Sequence, residues 1–160
     1  MTRSLFIVSF CVVYSLAGCS RSNPADIILT TDTTHTAIIM VDDIASSGLS
    51  TDEAKIGSAV ISSDVLTLLV QYGGGCKLHD LKLFGSRRFL ESYPVQADVF
   101  LSHNANGDAC KALISDSLRF SLQRLKETYQ MYYGEKETIL LRFHEPGKQE
   151  PLMPLIRYEF

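Results

Sequence analysis

The sequence predicts a mainly β domain: an antiparallel β-sandwich or open barrel with one short amphipathic helix at about residues 121–133. Three observations carry this. Short runs rich in β-branched and aromatic residues recur along the chain, broken by turn residues. Strand and helix patterns do not alternate, as a parallel sheet would require. A single segment shows the helical period. The chain has 160 residues, 46% apolar and 21% charged. That length fits about one domain, and the composition fits neither a disordered chain, nor collagen, nor a coiled coil.

The elements follow in order. Asp26–Thr34 and Thr36–Val41 read as strands around a polar break, and Asp42–Lys55, rich in Ser, Asp and Gly, as a loop. Ile56–Ser62 and Val65–Tyr72 form the next strand pair, with Ser63-Asp64 as the turn. Gly73-Gly74-Gly75 ends that pair, since glycines accept almost any backbone path. Cys76–Phe84, Arg87–Glu91 and Val95–His103 follow as strands. Asn104-Ala105-Asn106-Gly107-Asp108 is the strongest turn signal, because Asn-Gly accepts positive φ. Cys110–Phe120 is therefore expected to return antiparallel to Val95–His103. In the helix, Leu122, Leu125, Tyr129 and Tyr132 share one face, Ser121 can cap the start and Gly134 the end. Thr138–Phe143 and Leu155–Phe160 complete the strands around the proline-rich loop Glu145–Pro154.

The N-terminus reads as an address. Arg3 precedes a charge-free run of 12 residues, Leu5–Leu16. A membrane-spanning helix needs about 20 apolar residues; this run has the length of a signal-peptide core. It closes on Leu16-Ala17-Gly18-Cys19, which resembles the lipobox of bacterial lipoproteins. The resemblance implies a signal peptide at residues 1–18 and lipidation of Cys19 by a diacylglycerol thioether and a further acyl chain on its new amine. Several acyl chains on one residue anchor stably where one holds only marginally. It also implies a periplasm-facing protein of the bacterial envelope, and Ser20, in place of Asp, matches the outer-membrane default. Residues 19–26 form the lipidated tether and 27–160 a single β-rich domain. The seven tether residues after the cysteine reach at most about 23 Å when extended, which keeps the domain near the bilayer. Loss of Arg3 leaves 14 basic and 18 acidic side chains. The expected partner is the membrane, through the lipid, with a protein partner in the envelope unspecified. The acidic balance does not favour nucleic acid.

Cys11 leaves with the signal peptide and Cys19 takes the lipid, so Cys76 and Cys110 remain as one pair in an oxidising compartment. A disulfide is the default expectation. The alternative is zinc, held by Cys76, His79, His103 and Cys110, two sulfurs and two imidazoles. Strand periodicity opposes it, because positions 76 and 79 of a regular strand face opposite ways. His79 and His103 otherwise read as histidines at the edge of an apolar face, and His35 and His144 as surface or strand-end histidines. The loop Asn104–Asp108 loosely resembles a calcium loop but supplies one carboxylate and no bidentate Glu. Arg87-Arg88 between Phe84 and Phe89 reads as a solvated edge.

No G-x-S-x-G, H-E-x-x-H, G-x-x-x-x-G-K or G-x-G-x-x-G is present, so no catalytic residue and no cofactor is assigned. Residues 73–145 are similar to small envelope lipoproteins of unassigned function, which implies one folded unit and no activity. The expectation is a non-enzymatic binding or envelope-structural lipoprotein. Its alternatives are a metal-binding protein and a hydrolase or hydrolase inhibitor.

Overall fold

The computed structural model describes residues 35–134, 138–144 and 150–160. The signal peptide, Cys19, the tether, the strand expected at Asp26–Thr34 and the first half of the loop Glu145–Pro154 lie outside the described residues. The strands are β1 Thr36–Ala37, β2 Ile39–Val41, β3 Lys55–Ser62, β4 Val65–Gly74, β5 Asp80–Ser86, β6 Val95–Asn104, β7 Ala112–Ser121, β8 Thr138–Phe143 and β9 Ile156–Glu159, with helix α1 Gln123–Tyr133 between β7 and β8. They form a four-stranded sheet in the order β1-β7-β4-β3 and a five-stranded sheet in the order β2-β5-β6-β8-β9. The fold is mainly β, a sandwich-like pair of sheets and not a closed barrel.

Strand alternation builds the core. Leu66, Leu68, Val70 and Tyr72 of β4 turn inward, and Val95, Ala97 and Val99 of β6 and Ile139, Leu141 and Phe143 of β8 do the same. Fully burying one such large side chain contributes about 1.5–3 kcal/mol. β3 and β4 form the expected hairpin, with Ser63 at φ 52° in the turn.

The sheets are mixed. Antiparallel pairs β3–β4, β4–β7, β5–β6 and β8–β9 stand beside parallel pairs β1–β7, β2–β5 and β6–β8. The expected hairpin of Val95–His103 with Cys110–Phe120 does not form. β6 pairs with β5 and β8, and β7 pairs with β4 and β1, so the Asn-Gly turn carries the chain from one sheet to the other. The turn itself is as expected: Asn106 and Gly107 have φ of 52° and 64°, and the Asp108 N–H donates to the Ala105 carbonyl at 3.0 Å. Three expected strands also change: Thr36–Val41 breaks at Ile38 into β1 and β2, β5 begins at Asp80 rather than Cys76, and Arg87–Glu91 is not a strand, with Leu90 making an isolated bridge to Gln96.

Helix α1 buries Leu125 and Tyr129, and Leu122 just before it is fully buried too. Tyr133 rather than Tyr132 completes this side: its ring lies 4.9 Å from that of Tyr129 and its hydroxyl donates to Glu91 at 2.7 Å, while Tyr132 is 60% exposed. Ser121 remains in β7 and the residue at the helix N-cap is Leu122, but Ser121 Oγ still accepts the first helical N–H, that of Gln123, at 3.4 Å. The helix start is also tied to the β3–β4 turn. The Leu122 N–H donates to the Asp64 carbonyl, and Lys126 pairs with the Asp64 carboxylate. Gly134, at φ 74°, ends the helix with its N–H on the Gln130 carbonyl.

Candidate functional site

At one end of the sandwich the chain crosses between the sheets twice, from β4 to β5 and from β6 to β7. The Cys76–Cys110 disulfide ties the two crossings together, with Cα atoms 5.9 Å apart. Asp108 ties them a second time. Its Oδ2 accepts the N–H groups of Cys76 and Lys77 at 2.8 and 2.9 Å, and its Oδ1 accepts that of Cys110 at 2.9 Å. Lys77 Nζ donates to the carbonyls of Asn106 and Gly107, and Asn106 Nδ2 to the carbonyl of Leu78. Capture of these two amides explains why Cys76–Leu78 is not strand: Cys76 and Lys77 bond a carboxylate where a strand would bond a neighbour. The amides of Cys110, Cys76 and Lys77, together with His79, hold the Asp108 carboxyl well below the usual carboxylate range, against the opposing effect of its burial.

Beneath the bridge lie two imidazoles. His79 Nε2 is 3.3 Å from Asp108 Oδ2, and its Nδ1 is 2.7 Å from Nε2 of His103. His103 Nδ1 reaches the carbonyl oxygens of Asp52 and Glu53 at 3.2 and 3.0 Å. The His79 side chain is 2% exposed and His103 as a whole 2%. The Tyr72 ring covers both, its centroid 4.8 Å from that of His79 and 4.9 Å from that of His103. Burial and the nearby Asp116 raise the Tyr72 phenol above its ordinary pKa. Gly74 leaves room for this stack. A Cβ there would come within 2.5 Å of the His79 ring, and the backbone φ of +153° is one that side-chain-bearing residues rarely adopt.

The cluster also holds residues 50–54, expected as loop, against β6. The His103 N–H donates to the Ser50 carbonyl and its carbonyl accepts from Asp52. Ser102 Oγ bonds both the N–H and the carbonyl of Ser50, and Asp52 Oδ2 accepts the N–H of Ala105 at 2.7 Å.

The structure brings together all four residues of the zinc alternative, but not as ligands. The disulfide uses both sulfurs. The ring nitrogens face one another, Asp108 and backbone carbonyls. Zinc needs thiolates and free imidazole lone pairs, whereas here the sulfurs are joined and the ring nitrogens face these partners. The periodicity argument against the set did not apply, because residue 76 lies outside β5. The calcium-like loop has its oxygens engaged too: Asn104 Oδ1 accepts the Asn106 N–H, and both Asp108 oxygens accept amides. The two imidazoles bond each other, Asp108 and the carbonyls of Asp52 and Glu53, so the arrangement ties three chain segments together.

Sequence reasoning missed Tyr72, the carbonyls of residues 52 and 53, and the role of Asp108. The signal for Asp108 was present: a carboxylate directly after an Asn-Gly turn sits where turn and neighbouring amides converge. Away from this corner, Arg87 pairs with Asp42 at 3.3 Å on the surface. His144, expected at a surface or strand end, follows β8 but is only 4% exposed, with Nε2 3.0 Å from Asp98 Oδ1.

Neither a protein-family model nor a curated protein matches the sequence. Solved structures do match in fold. One is a protein of unknown function from Bacteroides vulgatus, 16% identical, TM-score 0.51, with 78% of this chain and 56% of that chain covered. A NigD-like immunity protein from Bacteroides caccae is 18% identical, TM-score 0.51, with 78% and 59% covered. A candidate lipoprotein from Bacteroides fragilis is 13% identical, TM-score 0.51, with 79% and 69% covered. At these identities the likeness shows the fold alone. The chain spans less than two thirds of the length of the first two. Among the described residues no helix is long and apolar enough to cross a membrane.

Proposed function

We propose that this protein is a lipid-anchored envelope lipoprotein whose β domain acts as a non-enzymatic binding or structural module, held on the outer membrane and facing the periplasm. The observation that carries this reading is Leu16-Ala17-Gly18-Cys19 at the end of its apolar lead-in. The Cys76–Cys110 bridge supports it from the folded domain, because disulfides persist in oxidising compartments. The corner built round that bridge supports the non-enzymatic half, since its sulfurs are joined and its ring nitrogens already have partners. A candidate lipoprotein among the fold neighbours agrees with an envelope role.

Metabolic palmitate labelling of the wild type and of Cys19→Ala tests the anchor. Label on the wild type alone, with only the wild type entering the detergent phase, supports it; equal behaviour of the two overturns it. In-cell crosslinking of the lipidated chain followed by mass spectrometry then tests the module. Recovery of a defined envelope protein supports the binding role, and release of turnover products from envelope substrates by the purified chain overturns the non-enzymatic one.

A further inference from the structure

A sheet that ends on an open strand presents a template for another strand, and proteins ordinarily blunt such edges with charge or shortness. Among the described residues the outermost strands are β1, β2, β3 and β9. β1 and β2 have only two and three residues, and β9 carries the exposed charges of Arg157 and Glu159. β3 has neither protection. It runs for eight residues with one charge, Lys55, at its first position. Past the irregularity between Ile56 and Ser58, the run Ser58-Ala59-Val60-Ile61-Ser62 holds no charge and no proline, and Val60 is 62% exposed.

The hairpin decides which backbone groups of β3 reach the open edge. Ser63-Asp64 is a two-residue turn, so the closing pair Ser62 and Val65 exchanges both its hydrogen bonds. The register is unbroken back to Ser58. Alternation therefore points the N–H and C=O of Ser62, Val60 and Ser58 at β4, and those of Ile61 and Ala59 away from it.

The same run is nearly palindromic. Laid antiparallel against itself about Val60, it sets Ser58 opposite Ser62, Ala59 opposite Ile61 and Val60 opposite Val60. Ala59 and Ile61 are the residues whose backbone groups face outward, so in this register each such pair can exchange both its bonds. The faces agree as well. Ala59 and Ile61 pack against the core, while Ser58, Val60 and Ser62 are exposed on the other face. Apolar side chains thus meet on the inner row, and two hydroxyls and a β-branched pair on the outer row, each a favourable cross-strand match.

We propose that β3 pairs antiparallel with β3 of a second copy of this chain, about a two-fold axis at Val60, joining the two four-stranded sheets edge to edge. A two-fold contact needs a surface that complements itself, and this run does so in sequence, in facing and in hydrogen bonding. The pairing goes beyond the envelope reading and does not depend on the lipid anchor.

The test places single cysteines on the outer row. Cys76 and Cys110 are already bridged to each other. Opposite residues of a pair without mutual hydrogen bonds have Cα atoms about 4.5 Å apart, within disulfide reach. Position 58 and its own copy would lie four residues apart along the strands, about 13 Å, beyond that reach. Cells producing the full chain are oxidised with copper phenanthroline and the products read on non-reducing gels, with wild type as the blank. Val60→Cys is expected to give a disulfide dimer above the wild-type level. Ser58→Cys and Ser62→Cys are each expected to give none, and their co-production to restore it. All three positions are exposed, so the variants are expected to keep the wild-type melting temperature. No dimer from Val60→Cys, or equal dimer from all three single variants, overturns the proposal. A Val60→Cys product of another mass assigns the edge to a different protein and overturns it too. Sedimentation velocity of the purified full chain in detergent supplies a second readout. The dimer fraction is expected to fall in Val60→Lys, which sets like charges directly opposite; an unchanged fraction overturns the pairing.

Discussion

His79 Nδ1 and His103 Nε2 sit 2.7 Å apart in a chain whose two ends both accept hydrogen bonds. Asp108 Oδ2 accepts from His79 Nε2 at one end, and the carbonyls of Asp52 and Glu53 accept from His103 Nδ1 at the other. The two rings thus form one continuous link from Asp108 to the segment at residues 52–53.

The same chain holds residues 50–54 to β6. His103→Ala leaves the carbonyls of Asp52 and Glu53 and one nitrogen of His79 without partners. The expected loss is about 1–3 kcal/mol, the cost of stranding buried polar groups, read from denaturant unfolding. Amide exchange is expected to rise first at His103 and Asp52, whose N–H groups bond across this contact.

The disulfide closes a sequence separation of 34 residues. Cys76→Ser with Cys110→Ser is expected to cost about 2–5 kcal/mol, the usual range for removing a native bridge from a small secreted domain. Asp108 ties the same two crossings. Adding Asp108→Asn to the serine pair is therefore expected to cost less than Asp108→Asn costs alone, because contacting sites are not additive. Full additivity would show that bridge and carboxylate hold separate units.

Asp108 also sets an acid dependence. Its carboxyl has a lower pKa folded than unfolded. Its contribution is thus complete above the ordinary value of 3.8 and declines as pH falls below it towards the depressed folded value. Denaturant titrations at several pH values below 4 are expected to show a shallower decline in Asp108→Asn than in wild type. Parallel curves would remove Asp108 from the acid response.

The tyrosines act in the opposite direction. The hydrogen bond to Glu91 and burial push Tyr133 up to about 12, and burial and Asp64 raise Tyr158 as well. A raised phenol stabilises below its ordinary value of 10, and that contribution is lost as pH climbs through the folded value. Thermal unfolding between pH 10 and 12 is expected to fall more steeply for wild type than for Tyr133→Phe. Tyr158→Phe, which loses a 2.6 Å bond to Asp64, is expected to cost about 1.5–3 kcal/mol near neutrality, as for a hydrogen bond to a charged group.

Local structure was legible in the sequence and pairing was not. Alternation located β4, β6 and β8, the 3.6-residue period found α1, and Asn106-Gly107 took the expected positive φ. That turn says how the chain bends but not which sheet receives it. β7 goes to β4, whose long alternating run offers a full antiparallel partner from Val65 to Gly74. The parallel pairing of β6 with β8 depends on β7 and α1 carrying the chain between them, which no local window contains. The cysteine and histidine positions marked the right corner, yet their arrangement depended on Asp108, whose amide partners come from a segment more than 30 residues away. His144 was hidden for a similar reason: its burial comes from neighbours in the folded layers, not from its position after a strand.

Ile38 is fully buried and is the single residue between β1 and β2, which belong to different sheets. β1 runs parallel to β7 and β2 parallel to β5. Tension entering the domain from its N-terminal side therefore reaches both layers within a few residues, along rows of bonds set crosswise to the pull. Such rows yield together rather than one at a time, so the fold grips mechanically at the end where a tether would load it.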